Sequence, residues 1–203
     1  MVGERDLLLR TILENPADDA PRLVFADWLE ETGEPANMAW AQFIRVQCDL
    51  HRRETESGDT GLWIDGNTEC HRLLNAWGKQ WLHPVWASPL WENTVWRRGF
   101  PAMIACPWEA WSDHEALIVR TTPLEEVKLT TWPRLEGQHD GGALTCCLAG
   151  RDHWESFPEG TPQEDVIRRL LIAEWPSIRF GAQRPFPYPA ILGRQPITDQ
   201  GTA

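Results

Sequence analysis

The chain has little tyrosine and little lysine. Its 203 residues include one Tyr against 13 Trp, and two Lys (Lys79 and Lys128) against 17 Arg. Basic residues are outnumbered as a class, 19 against 30 acidic ones, for a formal net charge of -11. That sign repels phosphate backbones and argues against general nucleic-acid binding. No run approaches about 18 apolar residues, so no membrane span is expected. The first residues carry Glu4, Arg5 and Asp6 rather than a basic stretch ahead of a long apolar one, so no secretory signal is expected. A G-x-S-x-G elbow, a P-loop and a G-x-G-x-x-G fingerprint are also lacking, which removes the usual sequence warrant for those chemistries. The five cysteines (Cys48, Cys70, Cys106, Cys146 and Cys147) form no regular framework. In a chain without an export signal they read as reduced thiols in the cytoplasm. The vicinal pair Cys146-Cys147 reads as strand packing rather than redox chemistry.

What is present is an ordinary globular balance, 42% hydrophobic and 24% charged, enough for one core or two small ones. In the first third the apolar residues recur at helical spacing. Residues 4–14 place Leu7, Leu8, Ile12 and Leu13 on one stripe, and Asn15-Pro16 ends it because the residue before proline avoids the helical region. Asp18 and Asp19 offer an N-cap to a second helix with Pro21 in its first turn and Gly33 beyond its end. Leu23, Val24, Phe25, Trp28 and Leu29 are its apolar residues. A third helix follows Pro35 with Trp40, Ala41, Phe43, Ile44, Cys48 and Leu50, and the polar run His51 to Thr60 reads as a loop. A fourth spans Thr68 to His83, with Trp77 and Trp81 one turn apart.

Residues 1–60 hold thirteen acidic and six basic side chains, so seven of the eleven excess negative charges lie there. Solvated helix faces account for this, and a docking surface for a basic partner is the sharper alternative. Asp27 sits between Phe25 and Trp28, close to the apolar face, where a carboxylate needs a partner. Arg22 and Arg45 are the candidates, and Asp27, Arg22, Arg45 and Trp28 are read as structural residues.

The run Asp19-Ala20-Pro21-Arg22-Leu23-Val24-Phe25-Ala26-Asp27-Trp28-Leu29-Glu30-Glu31, followed by Gln42-Phe43-Ile44-Arg45-Val46-Gln47, resembles the bacterial repeat-companion domain. The stretch Trp77 to Phe100, ending Trp96-Arg97-Arg98-Gly99-Phe100, is similar to the segment that joins that module to a first repeat. The likeness spans Leu8 to Trp132, with Gln42 where the family carries an acidic residue. It implies a short helical module ahead of leucine-rich-repeat units and brings no established catalytic residue with it.

A period in the sequence points the same way. Phe100, Met103, Ala105 and Trp108 share their spacing with Leu124, Val127, Leu129 and Trp132, 24 residues on. This is the leucine-rich-repeat pattern with Trp in place of the usual Asn. Trp175, Ile178 and Phe180 repeat its first three positions. Helices are expected over Pro107 to Thr121 and Gln163 to Glu174. Between Pro133 and Pro162 the period is interrupted. His139-Asp140-Gly141-Gly142 marks a tight turn there and Leu144 to Leu148 a strand. A hairpin within Lys128 to Leu148 is therefore expected to add antiparallel strands to the sheet edge. The chain divides into a helical module over 1–83, a repeat-like region over 84–183 with an insertion at 133–162, and an extended or disordered tail over 184–203.

If the shared positions point into the stack, alternate strand residues point out. Ile104, Cys106, Lys128, Thr130 and Arg179 then form the expected partner-binding face, since the open strand surface of repeat proteins commonly binds. Other chemistry finds little footing. Cys48, His51, Cys70 and His71 are ligand types, but their spacing matches no zinc finger, and adjacent helical residues such as Cys70 and His71 point apart. Asp113-His114-Glu115 reads as a solvated helix face. Internal Arg–Trp and Arg–carboxylate packing explains the arginine bias, with a phosphate site as the alternative. The reading is an α+β protein, a helical module capping a short leucine-rich-repeat-like mixed sheet with helices on one face. An α+β domain without true repeat stacking is the alternative. The chain is expected to bind another protein, with no cofactor, no metal and no catalysis. The alternatives are an acidic accessory or immunity-like protein that neutralises a basic partner, and an enzyme with an unrecognised site.

Overall fold

A computed structural model describes residues 3–57, 68–81, 94–140, 143–182 and 192–193. Four helices come first: α1 (Glu4–Glu14), α2 (Ala20–Glu31), α3 (Pro35–Ser57) and α4 (Thr68–Trp81). Then follow β1 (Thr94–Arg97), β2 (Phe100–Cys106), α5 (Trp108–Thr121), β3 (Glu126–Leu129), β4 (Leu135–Asp140) and β5 (Ala143–Leu148). The remaining elements are β6 (Glu155–Pro158), α6 (Gln163–Glu174), β7 (Arg179–Ala182) and β8 (Leu192–Gly193). The class is α+β, as the spacing implies.

Local chemistry sets the helix ends. α1 stops ahead of Asn15-Pro16. At the start of α2 the side-chain bond comes from Asp18, whose Oδ1 accepts the Ala20 N–H at 2.9 Å, while Asp19 in the N-cap position makes no side-chain cap bond. Gly33, at φ 69°, carries the chain out of α2. α3 runs past the expected end, so His51 to Ser57 is helix and not loop. Arg52 and Arg53 both pair with Asp49 one turn back, and the Thr55 hydroxyl donates to the His51 carbonyl at 2.9 Å. Polar residues of good helix propensity can extend a helix into solvent without a buried face. Residues 58–60 of that run lie outside the described residues.

The strands form two four-stranded sheets, ordered β1-β2-β3-β7 and β6-β5-β4-β8. In the first, β1 is antiparallel to β2, while β2, β3 and β7 run parallel as neighbours. In the second, β4, β5 and β6 are antiparallel and β8 is parallel to β4. The expected hairpin is present as β4–β5, with Asp140 opposite Ala143. It does not extend the first sheet, because β7 already occupies the free side of β3. It builds the second sheet instead.

Two hydrophobic cores result. One joins Ile104, Cys106, Val127 and Leu129 of the first sheet to Leu144, Cys146 and Phe157 of the second, with Trp111 and Ile118 of α5 and Ile167 and Leu171 of α6. The other holds Phe25, Trp40, Phe43, Ile44 and Leu73 of the helices, and Trp96 and Phe100 of the β1–β2 hairpin complete it. Tryptophans line both. Trp40 and Trp81 stack at 6.1 Å, and Trp108 and Trp111 meet Trp175 edge-on at 6.2 and 5.7 Å. Their large apolar area fills irregular space between elements. Trp63, Trp86 and Trp91 lie outside the described residues. So does the expected tail, except that Leu192 and Gly193 pair with β4.

Candidate functional site

Strand register decides which of the expected face residues are exposed. Ile104 aligns with Val127 and Phe180 across β2, β3 and β7, and Cys106 with Leu129 and Ala182. Ile104 and Cys106 are therefore core residues, 0% and 1% exposed, and do not belong to an outer face. Val127 stands 23 residues after its partner Ile104, one fewer than the repeat spacing suggests. A slip of one residue moves every side chain of a strand to the other face, so Met103 and Ala105 take the outward positions. At β7 the slip is two residues, with Phe180 rather than Ile178 opposite Val127, and the facing survives. Arg179 is exposed as expected, while Lys128 and Thr130 are half-buried. The Thr130 N–H donates to the Cys106 carbonyl at 2.9 Å, which holds the end of β3 to β2.

The outward face is laid out in two rows. Val95, Met103, Glu126 and Arg179 align across all four strands, and Ala105, Lys128 and Gly181 form the next row. Neither core draws on Met103, Glu126, Lys128 or Arg179. Gly181 leaves a notch: a Cβ there would lie 3.5 Å from Glu126 Oε1 and 3.7 Å from Lys128 Cγ. Where β3 and β7 begin, a cavity of about 520 Å³ opens, walled by Leu13, Val119, Leu124, Ile178, Ser177 and Arg179 among others. Glu125, which also lines it, pairs with Arg97 at 3.5 Å and Arg179 at 4.0 Å. Lys128 has no ion-pair partner among the described residues. Sequence spacing missed Val95, Met103, Glu126 and Gly181. The available signal was Val127-Lys128-Leu129, whose own alternation already separates inward from outward.

The structural residues fall in two places. Asp27 is exposed rather than near-buried, and of its two candidate partners Arg45 is the one that binds it. Arg45 pairs with Asp27 at 2.8 Å and Glu30 at 2.7 Å, and these two bonds hold its pKa above the ordinary arginine value. Trp28 stacks on Phe25 at 5.8 Å. Arg22 is 2% exposed; it donates to the Pro16 carbonyl at 2.8 Å and lies 5.3 Å over the Phe100 ring. Its Nε and Nη1 have no acceptor among the described residues, and burial, with Arg98 beside it, lowers its pKa to about 10. Arg98 donates to the same Pro16 carbonyl at 2.6 Å and to Ala17 at 3.0 Å. The turn of the hairpin is thereby tied to the end of α1.

The remaining chemistry-bearing residues are dispersed. Among the described residues no three His, Cys, Asp or Glu side chains gather as a cation site. All five cysteines are buried and none forms a disulfide. Burial pushes Cys48 and Cys106 up to about 12, and Cys70 and Cys146 up to about 11. In Asp113-His114-Glu115 the expected solvated face holds only in part, because Glu115 is packed against Arg151. A second groove of about 500 Å³ between α2, α3 and α4 has Met38, Val46, Leu73 and Trp77 as its apolar lining, with Arg45 and Arg72 beside them. No helix among the described residues is long and apolar enough to cross a membrane. Comparison with protein-family models, with curated proteins and with solved structures returned no match.

Proposed function

We propose that this chain is a non-catalytic, cytoplasmic protein-interaction module that binds a partner protein on the outward face of the β1-β2-β3-β7 sheet. On this reading the first four helices are a repeat-companion module. The observation that carries the proposal is a four-stranded face on which apolar Val95 and Met103 share a row with Glu126 and Arg179, with Lys128 in the next row, and on which neither core draws. A mixed apolar and charged surface of fixed geometry suits protein recognition. The parallel run of β2, β3 and β7 also resembles the strand surface that repeat proteins present to partners. The repeat-companion reading is supported by how the motif residues are used: Arg22 of one motif run and Arg98 of the other share the Pro16 carbonyl.

The test is site-specific photo-crosslinking in a native lysate, with the crosslinking residue in place of Val95 on the face or of Ile172 on α6. Crosslinked partners are expected from position 95 and not from 172, and they should vanish when Lys128→Glu and Arg179→Glu are added. Equal capture at both positions, or capture indifferent to the two charge reversals, overturns the proposal.

A further inference from the structure

We infer that the partner segment received by this face is acidic and carries an apolar anchor. Its Asp or Glu side chains meet Arg179 and Lys128, and its apolar side chain enters the adjoining cavity. This rests on the preceding reading that the face binds protein. The sign comes from local charge. The chain is net -11, yet among the described residues of these rows and the cavity rim Arg97, Lys128 and Arg179 stand with Glu125 and Glu126. Glu125 is shared by two guanidiniums at 3.5 and 4.0 Å, and Lys128 is unpaired among the described residues. Neither distance is that of a close charge-assisted bond, so an incoming carboxylate can improve on the existing pairing of Arg179. Electrostatic complementarity of this kind selects partners and speeds their encounter more than it adds affinity.

The anchor comes from shape. Arg179 belongs both to the outward row and to the cavity wall, so a segment crossing the face at Arg179 reaches the opening beside Leu13, Val119, Leu124 and Ile178. An apolar side chain buried there would supply the desolvated centre that charge pairs at a rim do not. The Gly181 notch, between Glu126 and Lys128, leaves room for a close backbone approach. The chain's own last residues have the wrong sign for this role: residues 183–203 carry Arg184 and Arg194 against Asp199 alone.

A random peptide library displayed on phage and panned on the full chain tests this. The expected winners combine Asp or Glu with a large apolar residue. As synthetic peptides they should bind about tenfold or more weakly to Arg179→Glu and Lys128→Glu, and weaken as salt rises from about 0.05 to 0.5 M. Ser177→Trp, at an exposed position of the cavity wall, should block the anchor and leave the melting curve unchanged. Winners that are basic or uncharged but still sensitive to Arg179→Glu would overturn the acidic inference and leave the face proposal standing. Winners insensitive to every face and cavity variant would overturn both. A library that enriches nothing overturns the peptide inference. So does a self-associating chain that Lys128→Glu renders monomeric, since the occupant would then be a second copy.

Discussion

Gly99 sits where the β1–β2 turn enters the helical module. Its N–H donates to buried Gln47 Oε1 at 2.8 Å, and its carbonyl accepts from Trp40 Nε1 at 2.9 Å. Its φ is 87°, and an added Cβ would overlap Ile44 Cγ1 and come within 2.9 Å of Ile44 Cα. Gly99→Ala is therefore expected to cost about 3 kcal/mol or more in urea unfolding. A loss below about 1 kcal/mol would mean the turn can move away from α3. The thiols give a second prediction at this scale. Burial holds Cys48 and Cys106 near 12, against an ordinary value of 9.0, so the unfolded chain loses its thiol protons first. Their contribution to stability is complete below about pH 9 and is lost as pH rises towards 12. Arg22 acts with the opposite sign, but only from about pH 10, where its lowered pKa lets the folded state shed a proton first. One Tyr and two Lys leave few other groups titrating in this range. The urea midpoint should fall between about pH 8.5 and 10, and a flat midpoint there contradicts the burial of the thiols.

At the scale of elements, one arginine links the second sheet to both of its helices. Arg151 follows β5, pairs with Glu115 of α5, lies 3.7 Å from Glu174 of α6 and covers the Trp175 ring at 5.3 Å. Its pKa is raised above the ordinary value, chiefly by the bond to Glu115. Arg151→Ala leaves two half-buried carboxylates without their cation and is expected to cost about 2–3 kcal/mol. Arg151→Lys should recover part of that, because it keeps the charge but loses the planar fork. Thermal unfolding followed by tryptophan fluorescence reads both, and equal melting points for wild type and Arg151→Ala would exclude this role. The same scale explains what spacing could and could not decide. α6 ends where periodicity places its ends, and α5 begins one residue later, because amphipathic spacing and flanking prolines act locally. Spacing puts Ile104 and Cys106 on the wrong face, because register depends on pairing with β3 and a single residue reverses it.

For the whole molecule, the two cores are not independent. The helical core is completed by Trp96 and Phe100, and Arg98 is bonded to Pro16 and Ala17. Residues 1–81 alone lack these groups. That fragment is expected to bind a hydrophobic dye and to unfold without a cooperative transition. A fragment continuing through Cys106 should regain part of the cooperativity. If 1–81 unfolds as sharply as the full chain, the helical module folds by itself and the hairpin merely rests on it.

The sequence by itself determined the helices, the class and the sign of the charge, because those depend on local spacing and composition. The Asn15-Pro16 stop, the Gly33 exit and the apolar stripe of α3 are legible one turn at a time. Tertiary structure alone decided that the β4–β5 hairpin forms its own sheet, that Arg45 rather than Arg22 takes Asp27, and that Met103 rather than Ile104 faces outward. Each of those outcomes depends on which distant strand or side chain arrives alongside. The scarcity of lysine is clearer for it. Of the two, Lys128 is placed on a sheet face on which neither core draws, while the negative excess lies mainly in the helical third.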